Sequence, residues 1–132
     1  MKIVHIKNIG ILLGFVFIFG FIGMQDDIWK APEAAKKIKN PTTNIEDSVL
    51  KGKRLYRSHC AICHGGTGLG DGPGGKALVP IPESLKTPLV QNQTDGELFW
   101  KITNGRNDMI KWGPILTEKQ RWDLVNYVRT MK

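Results

Sequence analysis

Residues 60 to 64 read Cys60-Ala61-Ile62-Cys63-His64, and this stretch contains both cysteines of the 132-residue chain. A disulfide between Cys60 and Cys63 would close a very short loop, and the stabilisation that a disulfide provides grows with the length of its loop. Such a bond would constrain little of the unfolded chain. The pair is therefore better explained by cysteine chemistry than by a structural cross-link.

The pattern C-x-x-C-H is the sequence signature of covalent c-type haem attachment. Its two-residue spacer lets both thiols reach the two vinyl groups of one porphyrin. The adjacent His64 projects an imidazole toward the iron from the same face. We therefore predict that Cys60 and Cys63 hold one haem c covalently and that His64 is an axial ligand of its iron.

Two other uses of the cysteine pair are less favoured. A thioredoxin-like redox site normally ends a strand and opens a helix in a βαβ unit, and the chain has no convincing strand pattern. A structural zinc site needs four ligands. Cys60, Cys63, His64 and His59 are too crowded for the usual paired spacing of zinc ligands.

Outward from the motif, the preceding residues have an amphipathic helical pattern. In positions 49 to 61, apolar side chains recur at helical spacing with basic side chains between them. Asp47 or Ser48 is the predicted N-cap of this helix. Residues 65 to 93 are rich in glycine and proline and are predicted to be mainly loop. A loop of this length in a compact domain needs a functional reason, and wrapping a cofactor would supply one.

Two further helices are predicted from capping-box spacings. Thr94 stands three residues before Glu97, and the helix that follows is stopped by Asn104-Gly105. Thr117 has the same spacing to Gln120 and opens a helix over residues 118 to 131. No strand pattern and no internal repeat is evident, so the domain is predicted to be all-α.

This order of helix, C-x-x-C-H motif, long loop, helix, methionine-bearing loop and final helix resembles the class I c-type cytochromes. The resemblance spans about residues 49 to 132 and is to the mono-haem, membrane-anchored bacterial type. It implies three to five short helices wrapped around one covalently attached haem c. It also implies electron transfer without bond chemistry on a substrate.

The resemblance further implies a methionine as the second axial ligand of the iron. Met1 and Met24 lie in the N-terminal apolar region, and Met131 is at the end of the last predicted helix. Met109, in the loop before that helix, is therefore the predicted ligand. The family often has proline directly after this methionine, whereas this chain has Ile110.

Further pocket residues follow from the same resemblance. Pro80 resembles the proline whose carbonyl accepts the Nδ1 proton of the axial histidine, here His64, with Pro82 as the alternative. Trp100 and Trp112 are predicted walls of the haem pocket with indole N–H groups for a propionate, and ordinary core packing is the alternative.

Gly52 and Tyr56 on the first helix, with Tyr127 on the last, resemble the contact at which the terminal helices of this family cross. This contact is expected to pack the two helices together and to have no catalytic role.

Residues 1 to 24 are predicted to be a signal anchor or a signal peptide. Residues 9 to 24 carry no charge, with basic residues before them and acidic residues after them, a pattern typical of export of the following chain. The best cleavage site would place the large side chain of Phe21 three residues before the cut, so an uncleaved anchor is favoured. The run is slightly shorter than the roughly twenty residues that span a bilayer.

The remaining chain divides into a flexible linker, residues 25 to 48, and a cytochrome c domain, residues 49 to 132. The linker has mixed charge and two prolines, a composition that buries little apolar surface. It is expected to hold the domain off the membrane, on the periplasmic side.

The formal net charge of +7 favours redox partners with acidic docking surfaces. The basic residues are scattered, so no nucleic-acid partner is expected, and no small-molecule substrate is expected either. The predicted function is electron transfer in a bacterial respiratory chain at the membrane surface. The alternatives are a mono-haem subunit of a larger membrane oxidoreductase complex and a haem enzyme with an open sixth site.

Overall fold

The computed structural model describes residues 28 to 132, and this part of the chain is mostly helical. A short 3₁₀ helix and five α-helices follow one another: Glu33–Lys37 (3₁₀), Ile45–His59 (α1), Ala61–His64 (α2), Pro88–Gln91 (α3), Asp95–Asn104 (α4) and Glu118–Val128 (α5). Residues 28 to 132 contain no β-strand, only an isolated bridge between Arg106 and Met109. The predicted all-α architecture is confirmed for these residues.

The predicted signal anchor, residues 1 to 24, lies outside the described residues. None of the helices between residues 28 and 132 is long and apolar enough to cross a membrane.

Helices α1 and α5 form the main helix pair of the domain. A Cβ atom at Gly52 of α1 would overlap the backbone carbonyl of Asp123 on α5, so only glycine allows the two backbones to approach this closely. Beside this contact, the rings of Tyr56 and Tyr127 lie 5.3 Å apart. The predicted crossing of the first and last helices is confirmed.

Both predicted capping boxes are present. In each, the threonine side chain accepts from the backbone N–H three residues on, and the Glu97 or Gln120 side chain accepts in return from the backbone of the capping threonine. Each box satisfies donors that a helix start otherwise leaves unpaired. These interactions are local, which is why the spacing alone predicted them.

Helix α1 begins earlier than predicted, at Ile45. Its N-cap is Asn44, whose side chain accepts a hydrogen bond of 3.1 Å from the N–H of Asp47. Ser48, one of the two predicted caps, is instead a buried residue inside the helix and donates to the carboxylate of Asp123. The first turn of α1 has no apolar pattern because its side chains are largely exposed, so the periodicity does not show it.

Residues 28 to 44, here called the N-terminal strap, fall in the stretch predicted to be a flexible linker, yet they pack on the domain. Ala35 is only 2% exposed, and its carbonyl lies against Gly96, where no Cβ could fit. Asn40 donates to Asp95 and to Asn126 at 3.0 and 2.7 Å. Composition does not reveal this packing because it depends on small residues and amides that meet partners far along the chain.

The core consists of two groups of buried side chains, and Leu85 and Ile102 pack against both. The first group is Val90, Leu98, Phe99, Trp122, Val125 and Val128. The second group is Tyr56, Trp112, Leu116, Leu124 and Met131. Between α2 and α4, the only helix is the four-residue α3, so the predicted long loop is largely confirmed.

Candidate haem-attachment site

The C-x-x-C-H motif forms a single helical turn at the end of α1. The backbone N–H groups of Cys63 and His64 both donate to the carbonyl of Cys60, at 3.1 and 2.9 Å. Gly65 ends the turn with a φ of +78°, a conformation that favours glycine. The two thiols and the imidazole are therefore presented from one short, rigid piece of backbone.

Both cysteines are free, and burial raises the pKa of the Cys60 thiol to about 12, with a smaller contribution from Cys63. A catalytic redox cysteine has a lowered pKa, because its thiolate is the nucleophile. Cys60 therefore does not resemble the attacking cysteine of a thioredoxin-like site. Two unlinked thiols at this spacing suit covalent attachment to a bound group.

The imidazole of His64 lies in an environment that suits binding to a metal ion. Burial lowers the pKa of its imidazole and so favours the neutral form, which is the form that binds metals. Its Nδ1 atom is shielded from solvent and has no hydrogen-bond partner in the described structure. Two free thiols and an imidazole whose burial favours the neutral, metal-binding form stand on one turn, and this donor set fits a haem c.

The glycine-rich loop that follows folds back over the motif. The backbone N–H groups of Gly70, Gly72 and Gly74 donate to the carbonyls of His64, Cys63 and Ile62, at 2.9, 3.2 and 2.8 Å. A Cβ at Gly72 would meet the backbone of the motif at 2.4 to 2.7 Å. The loop therefore fixes the backbone on which the thiols and the imidazole stand.

No hydrogen bond joins Pro80 to the Nδ1 of His64 within the described residues. Pro80 is exposed, and the Nδ1 atom of His64 accepts and donates no hydrogen bond within the described residues. Pro82 packs beside the motif, because a Cβ at Gly75 would meet both the Pro82 ring and the carbonyl of Cys63. Pro82 therefore lies beside the attachment site, and the choice between the two prolines as the acceptor for His64 remains a prediction.

Met109 is half-buried in a tight turn that follows α4. Its N–H donates to the carbonyl of Arg106 at 2.9 Å, and its own carbonyl accepts from the N–H of Arg106 at 3.2 Å. Gly105 opens the turn with a φ of +59°, and a Cβ there would overlap the carbonyl of Met109. The other methionine in residues 28 to 132, Met131, is a core residue whose sulfur lies against Gly68.

The two predicted pocket tryptophans differ in environment. Trp112 is buried in the second core group, and its ring lies 5.2 Å from that of His59. Trp100 is half-buried, and its ring meets that of Trp29 edge-on at 6.5 Å. Trp112 thus packs in the core and Trp100 contacts the N-terminal strap, and the pocket role of each remains a prediction.

Trp122 is a buried residue of α5. In the structure its ring stacks on Phe99 at 4.1 Å, and its indole Nε1 is buried without a hydrogen-bond partner. An apolar periodicity predicts burial but does not report whether the indole nitrogen finds an acceptor. Within the described residues, the indole nitrogen of Trp122 is thus a buried donor without an acceptor, as the Nδ1 of His64 is a buried atom without a partner.

The helical fold and the single C-x-x-C-H turn define a mono-haem class I c-type cytochrome. Residues 47 to 128 match the model of the family described as cytochrome c oxidase, cbb3-type, subunit III, and the chain belongs to this family. Its cofactor is one covalently bound haem c.

Curated relatives include two cytochromes c6. That of Porphyra purpurea is 30% identical over 79 residues, which are 58% of this chain and 66% of the relative. That of Bumilleriopsis filiformis is 29% identical over 82 residues, which are 61% of this chain and 87% of the relative. The match thus spans just under two thirds of the first relative and most of the second.

Two solved structures share the fold. A chain of the reducing HAO-like protein complex of Kuenenia stuttgartiensis aligns with a TM-score of 0.59 at 24% identity, covering 69% of this chain and 50% of that one. Cytochrome CL of Methylophaga aminisulfidivorans aligns with a TM-score of 0.52 at 22% identity, covering 69% and 55%. At these identities the likeness shows the fold alone.

Proposed function

We propose that this protein carries single electrons at one haem c attached through Cys60 and Cys63, with His64 and Met109 as the axial iron ligands. The observation that carries the proposal is the motif turn, which presents two free thiols and a largely buried imidazole from one short piece of backbone. When bound, the haem supplies an iron that cycles between Fe(II) and Fe(III).

The surrounding residues suit a carrier that changes little between its two redox states. Helices α1 and α5 cross at Gly52, and the glycine-rich loop hydrogen-bonds the motif backbone, so His64 stands on a fixed support. The far end of the Met109 loop returns to α4. There the backbone N–H groups of Trp112 and Gly113 donate to the carbonyls of Ile102 and Thr103, at 3.2 and 3.0 Å. A thioether held in this way favours a six-coordinate iron.

The proposed setting is a bacterial respiratory chain at the outer face of the cytoplasmic membrane, with residues 1 to 24 as the anchor. The uncharged run with basic residues before it supports export and anchoring. The net charge of +7 supports redox partners with acidic surfaces. The family name, that of an oxidase subunit, also supports a place in respiration.

A second candidate is a mono-haem subunit of a larger membrane oxidoreductase complex. It is favoured by the family description and by the chain of the Kuenenia stuttgartiensis complex that shares the fold. Native electrophoresis of membranes dissolved in mild detergent, stained for haem, separates the two candidates. A free carrier migrates near the mass of the single chain, whereas a subunit comigrates with its complex.

The attachment site is tested by a denaturing gel stained for haem, using protein produced in a host that attaches c-type haem. The double variant Cys60→Ala, Cys63→Ala is expected to lose the stained band at the mass of this chain. His59→Ala, next to the motif but outside it, is the matched control and is expected to keep the band. Haem staining in the double variant would overturn covalent attachment at these cysteines.

The axial ligand is tested by Met109→Ala, with Met131→Leu as the control at the other described methionine. Ferric wild-type protein is expected to show a weak near-infrared sulfur-to-iron band that is lost in Met109→Ala and kept in Met131→Leu. The ferrous Met109→Ala variant is expected to bind carbon monoxide, which the wild type excludes. Carbon monoxide binding by the wild type would favour instead a haem enzyme with an open sixth site.

A further inference from the structure

A cluster of aromatic and basic side chains joins the N-terminal strap to the Met109 loop. Its members are Trp29 on the strap, Trp100 and Lys101 on α4, and Arg106 on the loop, and they are called here the Trp29 cluster. The Nζ of Lys101 lies 5.0 Å, and the guanidinium carbon of Arg106 6.0 Å, from the centroid of the Trp29 ring. One indole therefore contacts both α4 and the loop.

Lys101 also holds the backbone of Trp29. Its Nζ donates a hydrogen bond of 2.5 Å to the carbonyl of Trp29, although the two residues are 72 positions apart. Burial lowers the pKa of Lys101, and a partly buried ammonium is costly unless an acceptor compensates for the lost water. Trp29 is thus fixed through both its ring and its carbonyl.

Arg106 connects this cluster to the predicted ligand. Its backbone exchanges two hydrogen bonds with Met109, so a shift of Arg106 also shifts the backbone that carries the thioether. Between them, Asn107 has a φ of 51°, and Asn107 and Asp108 are exposed. The side chains that connect this turn to the rest of the protein are therefore mainly those at its two ends. Arg106 is at one of these ends.

The strap has a second attachment at its other end. Asn40 donates to Asp95 at the start of α4 and to Asn126 on α5, at 3.0 and 2.7 Å. This attachment involves residues at the opposite end of α4 from the Met109 loop. It provides a control position that weakens the strap without touching the Trp29 cluster.

We propose that Trp29 is a positioning residue for Met109: by holding Arg106, the strap biases the loop toward the arrangement in which the thioether binds the iron. A cation near an aromatic face contributes modest but real stabilisation at a partly exposed site. The inference rests on the proposed ligation of the iron by Met109. It goes beyond that proposal because it assigns a functional role to a residue outside the family match at 47 to 128.

The test compares Trp29→Ala, Trp29→Phe and Asn40→Ala by titrating the ferric holoproteins with imidazole, which competes with a methionine ligand. Loss of the ring lowers the population of the bound loop, so Trp29→Ala is expected to bind imidazole about tenfold more tightly than wild type. Trp29→Phe keeps an aromatic face and is expected to stay within about twofold. Asn40→Ala is expected to lower the urea midpoint but also to stay within about twofold in imidazole affinity.

A second readout does not depend on the iron. Amide hydrogen exchange of residues 104 to 111 is expected to be faster in Trp29→Ala than in wild type, and unchanged in Asn40→Ala. Unchanged imidazole affinity and exchange in Trp29→Ala would overturn the positioning role. An equal response in Asn40→Ala would also overturn it, since the strap would then act through general stability.

Failure of the underlying proposal has a different outcome. If Met109→Ala retains the near-infrared band, the ligand assignment is wrong and the role of Trp29 falls with it. If Met109→Ala loses the band while Trp29→Ala behaves as wild type in both readouts, the ligand assignment stands and only the positioning role is overturned.

Discussion

The hydroxyl of Tyr56 donates a hydrogen bond of 2.7 Å to the carbonyl of Gly65, the residue directly after His64. Tyr56 is 1% exposed, and burial raises the pKa of its phenol, so the hydroxyl remains a donor. The bond ties the last turn of α1 to the end of the motif turn. Helix packing and haem attachment are thereby linked through one side chain.

Replacement of Tyr56 by phenylalanine is expected to lower the free energy of unfolding by about 1 to 3 kcal/mol, because the buried carbonyl of Gly65 would lose this donor. Urea unfolding of the holoprotein measures the effect. Tyr127→Phe is the matched control, since its ring packs against that of Tyr56 at a tilt of 58°, and we expect a change within about 0.5 kcal/mol. Equal losses in the two variants would show that the Tyr56 hydrogen bond contributes nothing particular.

Gly52→Ala is expected to destabilise the protein by about 3 kcal/mol or more, although alanine is the better helix former. The added methyl group would overlap the Asp123 carbonyl and lie 2.8 Å from the Cβ of Tyr127, forcing α1 and α5 apart. Urea unfolding again measures the change. Gly66→Ala, where a Cβ would meet no atom within 4 Å, is the control and is expected to be close to neutral. A neutral Gly52→Ala would contradict the tight crossing.

Gly105→Ala is expected to weaken Met109 ligation. Its φ of +59° strains any L side chain, and a Cβ would overlap the Met109 carbonyl, so the turn must open. Imidazole titration of the ferric protein is expected to show tighter binding, together with a weaker near-infrared band. Gly66→Ala serves as the control here too, and unchanged ligand binding in Gly105→Ala would contradict a role for this turn.

Asp95 makes an acid-dependent contribution to stability. Burial alone would raise the pKa of its carboxyl, but hydrogen bonds from Asn40 and Arg129 outweigh burial and hold the pKa below its ordinary value of 3.8. A carboxyl with a lowered folded pKa stabilises the protein above the unfolded pKa, and this contribution is lost as the pH falls through the folded pKa. The gain is therefore complete at neutral pH.

Asp95→Asn is accordingly expected to cost about 1 kcal/mol at pH 7, a modest value because Asp95 is one third exposed, and progressively less below about pH 4. Urea unfolding of wild type and variant at both pH values tests this. Glu83→Gln, at an exposed position, is the control. A cost that does not shrink in acid would mean that the charge of Asp95 is not responsible.

Much of the fold could be predicted because the signals are short in sequence. The two capping boxes each join residues three positions apart, and both are present where expected. The start of α1 was misplaced because Ser48 has the side chain of a cap, yet its hydroxyl donates to Asp123, 75 positions away. The attachment residues Cys60, Cys63 and His64 were found because their chemistry depends on spacing alone. Their roles, and that of Met109, remain predictions.

The sequence by itself determined the attachment motif and the capped helices, and its resemblance to a family indicated where the first and last helices cross. Only the tertiary structure decided that the strap packs on α4, that Trp29 meets Lys101 and Arg106, and that the Nδ1 of His64 is left without a partner. The physical reason is the distance along the sequence between the groups that interact. A helix cap or motif turn is satisfied by neighbours within one turn of backbone, whereas a buried amide, ammonium or indole finds its partner only after distant segments have packed.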